Sequence, residues 1–297
     1  MQLKDARGQW RMSPRRLTAA AGRRIALPVN YGRLVALSRA ATEPIVDPNG
    51  TVVVSMTTHG TRLKSVHLTI ESIARGTIKP KQFVLALDAP ILEPLPEPLR
   101  RLCNRGLEVL ESPGRYGPHT KYFPYVLSAG DHQLPLVTAD DDVIYDRRWL
   151  ERLVLAAKQH PGEILCYRAH KMRLDGQGAL APYNSWSEVR DTDASHLNFL
   201  TGVSGVYYPL GMIAELRERG DAFMATCPKA DDVWLNRVAL QIGVKVRQIR
   251  NRPRVFPTLM STQETSLLSV NVGRSANDEQ LARTYSQSDL ARLTGQR

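Results

Sequence analysis

The chain has 297 residues, of which 42% are apolar and 23% charged, a globular composition with length for one large domain or two small ones. No apolar run approaches the ~20 residues of a membrane-spanning helix, and three widely separated cysteines, Cys103, Cys166 and Cys227, exclude a CxxC zinc site. The net charge of +11 is uneven: in residues 1–50, Lys4 and eight arginines face only Asp5, Glu43 and Asp47.

That leader, residues 1–49, ends at the turn-like Asp47-Pro48-Asn49-Gly50. Between Leu17 and Leu37, Arg alternates with Ala, Leu, Ile and Val, so a short basic amphipathic helix is expected, limited by Pro28 and Gly32. The segment is either a solvated arm or a peripheral contact with an anionic membrane. It lacks aromatic interleaving, so no nucleic-acid partner is expected. Arg15, Arg16, Arg23 and Arg24 interrupt its first apolar stretch, which argues against a signal peptide and for a cytoplasmic location.

From residue 50 the pattern changes. Thr51–Met56 reads as a buried β-branched strand, and Leu63, Val66, Ile70, Ile73 and Ala74 follow at helical spacing up to Gly76. Phe83–Leu87 is a second strand, Leu99–Asn104 a short helix, and Leu107–Leu110 a third strand. A helix near Lys121–Ala129 follows the loop Pro113–Thr120, whose Gly114 and Gly117 make it a candidate lid. Leu134–Thr138 is a fourth strand and runs into Asp140-Asp141-Asp142; Arg147–Lys158 is helical. Ile164–Tyr167 and Val203–Tyr207 read as strands, with a polar, irregular stretch 171–198 between them. Asp231–Ile242 is a helix, Val244–Ile249 a last strand, and the polar tail has helical signals near Asp278–Arg283. Strands alternating with helices predict an α/β fold with a mainly parallel central sheet flanked by helices. The expected division is leader 1–49, catalytic domain 50–262, and a tail 263–297 packing on or near the active site.

Two acidic groups carry the chemistry. Open parallel sheets bind ligands beyond the carboxyl ends of their strands, which is where Asp140–Asp142 falls. Adjacent carboxylates repel one another, and a hard divalent cation relieves that repulsion. Mg²⁺ and Mn²⁺ take one or two protein carboxylates and leave positions for phosphates. On an extended segment Asp140 and Asp142 share a face. A solvated acidic turn is the competing reading. Asp231 and Asp232 open an amphipathic helix, where one of them is either an N-cap or a general base. In Thr201-Gly202-Val203-Ser204-Gly205, the two glycines imply close approach of the backbone to substrate or to another strand.

Taken together, the segments VSMTTHGTRLKSVHLTIESI, TADDDVIYDRRWLERL, CYRAHKM, TGVSGVYYP, ADDVWLNRVAL and Asn277-Asp278 resemble bacterial glycosyltransferases. The likeness is to those with the GT-A nucleotide-diphospho-sugar transferase fold, similar to family 2-like enzymes of surface-polysaccharide synthesis. It runs from about Val52 to Asp278. It implies that Asp140 and Asp142 form the DxD motif and bind Mn²⁺ or Mg²⁺, with Asp141 beside them at the donor diphosphate. Thr57, Thr58 and Arg62 would approach the nucleotide, Asp88 its base, and Lys121 a phosphate. Gly202 and Gly205 would line the donor-sugar or acceptor pocket. His170 would meet phosphate or sugar, unless it is a plain loop histidine. Asp231-Asp232 matches an acidic motif whose last acid is the base of inverting enzymes; an Asp stands here at the usual Glu, which leaves the choice between the two open.

The implied reaction transfers a sugar from a nucleotide-diphosphate donor, a UDP-sugar by family habit, to a hydroxyl of a saccharide or lipid-linked acceptor, with inversion. Two other classes compete: a nucleotidyltransferase acting on sugar phosphates, for which SMTTHGTRLK is only a faint phosphate loop, and a non-catalytic carbohydrate or membrane-surface adaptor working through the basic leader.

Overall fold

The structure is a computed structural model, and it describes residues 32–90, 94–259 and 276–295. The chain divides into two compact units, residues 1–41 and 42–297. In the first, residues 32–40 form helix α1. The leader up to residue 31, including most of the expected basic helix, lies outside the described residues. Residues 42–49 belong to the second unit: the Ile45 N–H donates to Arg105 O and the Asp47 N–H to Pro80 O.

The second unit is built on a sheet of β1 (Val53–Thr58), β2 (Gln82–Leu87), β3 (Leu107–Glu111), β4 (Leu136–Ala139), β5 (Ile164–Cys166), β9 (Val206–Tyr208) and β10 (Val246–Gln248). Their order is β10-β5-β9-β4-β1-β2-β3, parallel throughout except that β9 runs against both β4 and β5. Alternate side chains enter two buried clusters, one on each face of the sheet, so the central strands read as continuous apolar runs. Val53, Val84 and Leu136 point to one face, and Val54, Phe83, Leu85 and Val137 to the other. Helices α2 (Val66–Ala74), α3 (Glu97–Cys103) and α5 (Trp149–Gln159) cover the second face. Helices α4 (Phe123–Leu127), α6 (Leu210–Arg219), α7 (Phe223–Thr226) and α8 (Asp231–Gln241) cover the first. Sequence periodicity had not revealed α6 and α7.

The stretch 171–198, expected to be irregular, contributes to a second sheet instead. Strands β6 (Ala169–Lys171), β7 (Ser187–Glu188) and β8 (Asn198–Leu200) pair antiparallel in the order β7-β6-β8. They are too short to carry a periodic signal. Buried amides hold them: Gln248 accepts from the Ala169 N–H and donates to Val189 O, and Asn198 donates to Val246 O.

In the tail, α9 (Ala276–Thr284) falls where helical signals were expected, and α10 (Gln287–Thr294) follows behind a capping box of Ser286 and Asp289. Asp289 also pairs with Arg237 at 3.0 Å and accepts from Gln241, fixing the tail to α8. Residues 260–275 lie outside the described ones. No helix among the described residues is long and apolar enough to cross a membrane.

Candidate active site

The parallel strands β1, β2 and β4 end at one rim of the sheet and deliver Thr57-Thr58, Asp88 and Asp140–Asp142 there. A cavity of about 240 Å³ opens at this rim, lined by Thr57, His59, Arg62, Asp88 and the three aspartates. A larger one, about 470 Å³, lies towards the second sheet and α8, and Asp231 and Asp232 line it. Pro118, Lys121 and Asp140 border both.

The three aspartates differ. Asp141 is buried; its carboxylate accepts from Thr58 Oγ1 and Arg62 Nη1, each at 2.8 Å, and its carbonyl from Thr69 on α2 at 2.9 Å. With both oxygens engaged and the side chain out of reach of solvent, it anchors the loop. Asp140 and Asp142 remain about a fifth exposed. Asp140 binds Lys121 Nζ at 2.7 Å and the Ser204 N–H at 3.1 Å, and its own N–H donates to the Tyr145 hydroxyl. Asp142 sits 3.4 Å from Arg62. Burial, only partly offset by Arg62, raises its pKa above the ordinary carboxylate value. Among the described residues no three metal-ligating side chains converge into an all-protein cage. Two accessible carboxylates beside an open cavity nevertheless suit an ion that keeps phosphate and water ligands.

Of the other expected nucleotide contacts, Thr57 lines the smaller cavity and bonds Ala86 O at 2.9 Å. Thr58 is buried as a prop for Asp141. Asp88 is held from Thr120 Oγ1 at 2.7 Å and Ser112 Oγ at 3.2 Å. The loop 113–120, read as a candidate lid, is pinned at its far end: His119 and Thr120 are fully buried. The His119 ring stacks on Phe223 at 3.8 Å and bonds the Tyr122 hydroxyl and Cys227 O, each at 2.8 Å. Burial lowers its pKa to about 4 despite the Cys227 carbonyl, so the ring is neutral.

Asp231 and Asp232 occupy the first turn of α8, and the N-cap itself is Ala230, so neither caps by that route. Asp232 Oδ1 accepts the Gly202 N–H at 2.8 Å. Burial first, and then Asp231 beside it, raise the Asp232 pKa; burial likewise raises that of Asp231 against the pull of Lys121. For Lys121 burial works the other way, but Asp140, Asp231 and Asp232 together outweigh it and keep the ammonium charged. Asn236, one turn along α8, donates to Asp232 O and Leu200 O and accepts the Leu200 N–H, which fixes α8 against β8.

The two glycines separate. Gly202 lines the larger cavity, and a Cβ there would lie 3.1 Å from Asp232 Oδ1 and 3.3 Å from Lys121 Nζ. Gly205, at φ +100°, approaches the core instead: a Cβ would stand 2.6 Å from the Trp149 ring. Between them Ser204 adopts φ +77°, which turns its N–H onto Asp140 while its carbonyl accepts from the Trp149 indole at 2.8 Å. His170 lines the larger cavity from strand β6, not from a loop.

Sequence reasoning gave no role to His59, Arg168, Tyr183, Trp186 or Lys229, all of which line one of the cavities. Tyr183 opens a three-residue 3-10 turn and the other four lie in connections between elements, where no periodicity marks them. The tail closes the larger cavity through Asn277; next to it Asp278 accepts the Tyr183 N–H at 2.7 Å, and Gln280 accepts that of Lys229 at 2.9 Å.

No protein-family model and no curated protein matches the chain. Solved structures similar to it include S. aureus TarS (TM-score 0.46, 14% identity, 83% of this chain and 71% of that one). The mannosyltransferase PcManGT from Pyrobaculum calidifontis, in complex with GDP-Man and Mn²⁺, gives TM-score 0.46 and 16% identity over 80% and 66% of the two chains. GalNAc-T7 with UDP, GalNAc and Mn²⁺ gives 0.48 and 15% over 73% and 45%. At these similarities the functional reading stands on the residues of the site.

Proposed function

We propose that the chain is a divalent-metal-dependent glycosyltransferase of the GT-A type. It would move a sugar from a nucleotide-diphosphate donor to a hydroxyl of a saccharide or lipid-linked acceptor, in the cytoplasm or peripherally at the inner face of the cell membrane. One observation carries this: two accessible carboxylates at a parallel strand end and a separate acidic pair at a helix start face adjoining cavities, with Lys121 between them. A nucleotidyltransferase or an adaptor gives the second acidic pair no task.

In this reading the smaller cavity takes the nucleoside diphosphate. Asp140 and Asp142 would hold Mn²⁺ or Mg²⁺, which when bound neutralises charge on the departing diphosphate. Lys121 would add a fixed positive charge at the same oxygens, with no reorganisation during reaction. Arg62 and Asp141 brace the loop. Asp232, aimed by the Gly202 N–H, takes the proton from the acceptor hydroxyl; its raised pKa suits a base working near neutrality. That hydroxyl oxygen forms the new bond to the anomeric carbon as the bond to the diphosphate oxygen breaks, which gives inversion. Asp231 would add to the negative field that keeps Lys121 charged.

The test is a thermal-shift and calorimetric screen of UDP- and GDP-sugars with Mn²⁺. A nucleotide sugar should raise the melting temperature only with the metal, and Asp142→Ala should remove the shift. If no nucleotide sugar shifts the protein with either metal, the reading is wrong.

A further inference from the structure

The larger cavity holds two cations that the proposed reaction does not use. Arg168 lies between β5 and β6, and Lys229 two residues before α8; both line the cavity. Among the described residues neither has a carboxylate partner, whereas Lys121 in the same cavity is locked to Asp140 at 2.7 Å. Lys229 is exposed, but Arg168 is half-buried. A guanidinium drawn partly out of water without a counter-charge is costly, and its planar fork matches a carboxylate or a phosphate. His170 adds a second unanswered group, because its Nδ1 is buried with no hydrogen-bond partner.

Beside these groups stands an aromatic wall. Tyr183 packs 5.0 Å from Trp186 and 5.8 Å from both Phe199 and His170, and it is the least buried of the three aromatics. Such a wall suits the apolar face of a pyranose, while the few polar groups around it fix orientation. The Tyr183 hydroxyl feels burial first, then Asp232, and in the opposite sense Arg168. The cation and the acid assigned as base therefore act on the same phenol. The Tyr183 and Lys229 main-chain N–H groups donate to the Asp278 and Gln280 side chains, which tether both segments to the tail.

We propose that the acceptor is a saccharide bearing an anionic substituent, carboxylate or phosphate, which sits on Arg168 and Lys229 while its ring rests against Tyr183. This rests on reading the larger cavity as the acceptor site of a glycosyltransferase. Recognition then has a plain division. The aromatic face accepts many pyranoses, and Arg168 selects those carrying a negative charge at the right distance from the hydroxyl presented to Asp232.

The test uses the full chain without nucleotide and four probes in ligand-observed NMR titrations: methyl glucuronide, glucose 6-phosphate, methyl glucoside and inorganic phosphate. One of the two anionic sugars should bind about tenfold tighter than methyl glucoside, the size expected of a charge-assisted pair. Which of the two it is separates carboxylate from phosphate. Inorganic phosphate, lacking the ring, should bind more weakly than the preferred sugar. Arg168→Gln should erase the preference, Arg168→Lys should keep part of it, and the exposed Lys229→Gln should weaken it less. Equal binding of neutral and anionic sugars, or a preference that survives Arg168→Gln, would overturn the proposal, as would inorganic phosphate binding as tightly as the sugar. The Mn²⁺–nucleotide-sugar shift is read on the same variants. If that shift persists without an anionic preference, only the acceptor inference fails; a preference without the shift sinks the transferase reading instead.

Discussion

The two cavities meet at Lys121 and Asp140 but are built differently. The smaller one stands on the ends of parallel strands four to six residues long, and every side chain lining it lies within a few residues of a strand end or in the adjoining 60–64 and 117–121 turns. The larger one stands on strands of two or three residues, the start of α8 and a helix from the tail. Buried amides, Asn236, Asn198 and Gln248, hold it together. A site set by strand ends inherits its geometry from the core. One assembled from distant short pieces depends on each hydrogen bond that joins them, and is the part free to change with substrate.

If the cavities divide the work between donor and acceptor chemistry, they can be uncoupled. Asp232→Asn keeps an acceptor for the Gly202 N–H but removes the base. Turnover should fall by about 10²- to 10⁴-fold, with Mn²⁺-dependent donor binding unchanged by calorimetry. Loss of donor binding in that variant would mean that the two cavities act as one.

The seam between them should be acid-sensitive. His119 ties the 117–121 turn, which walls both cavities, to Cys227 ahead of α8. Its folded pKa of about 4 lies below its ordinary 6.5, so the unfolded chain takes up the proton first. Its contribution is complete above about pH 6.5 and is lost as pH falls towards 4, amounting to about 3 kcal/mol once both states are protonated. Urea unfolding from pH 7 to pH 4 should show this slope, and a foldable His119→Gln variant should lack it. An equal slope in both proteins would assign the acid loss to other groups.

The turn 202–205 gives a finer contrast. Gly205→Ala meets Trp149 and a positive φ together and should cost about 1–3 kcal/mol of stability. Ser204→Gly removes an unfavourable φ and a buried hydroxyl without a partner, and should stabilise by up to about 1 kcal/mol while keeping the bond to Asp140. Thermal melts of the two variants should move in opposite directions. If both fall, the turn needs its native side chain.

The legible part of this molecule follows the same line. Val53–Thr58, Gln82–Leu87 and Leu136–Ala139 are buried on both faces, so their apolar runs announced a parallel sheet. The acids beyond β4 could then be placed at its rim without further information. What was not legible is what each acid does. Alternation set Asp141 apart from Asp140 and Asp142, but only the meeting of Thr58, Arg62 and Thr69 makes it an anchor. Gly202 and Gly205 looked equivalent, yet one faces Asp232 and the other Trp149.

The sequence by itself determined the α/β class, the rim of the sheet where the candidate site lies and the two acidic groups that line its cavities. Those depend on local patterns, a buried strand followed by acids and an amphipathic helix opened by them. Only the tertiary structure decided the second sheet, the shared place of Lys121, and the meeting of Arg168, Tyr183 and Lys229 in one cavity. Each of these joins residues far apart in the chain through short segments, where long-range hydrogen bonds and packing, not local propensity, set the conformation.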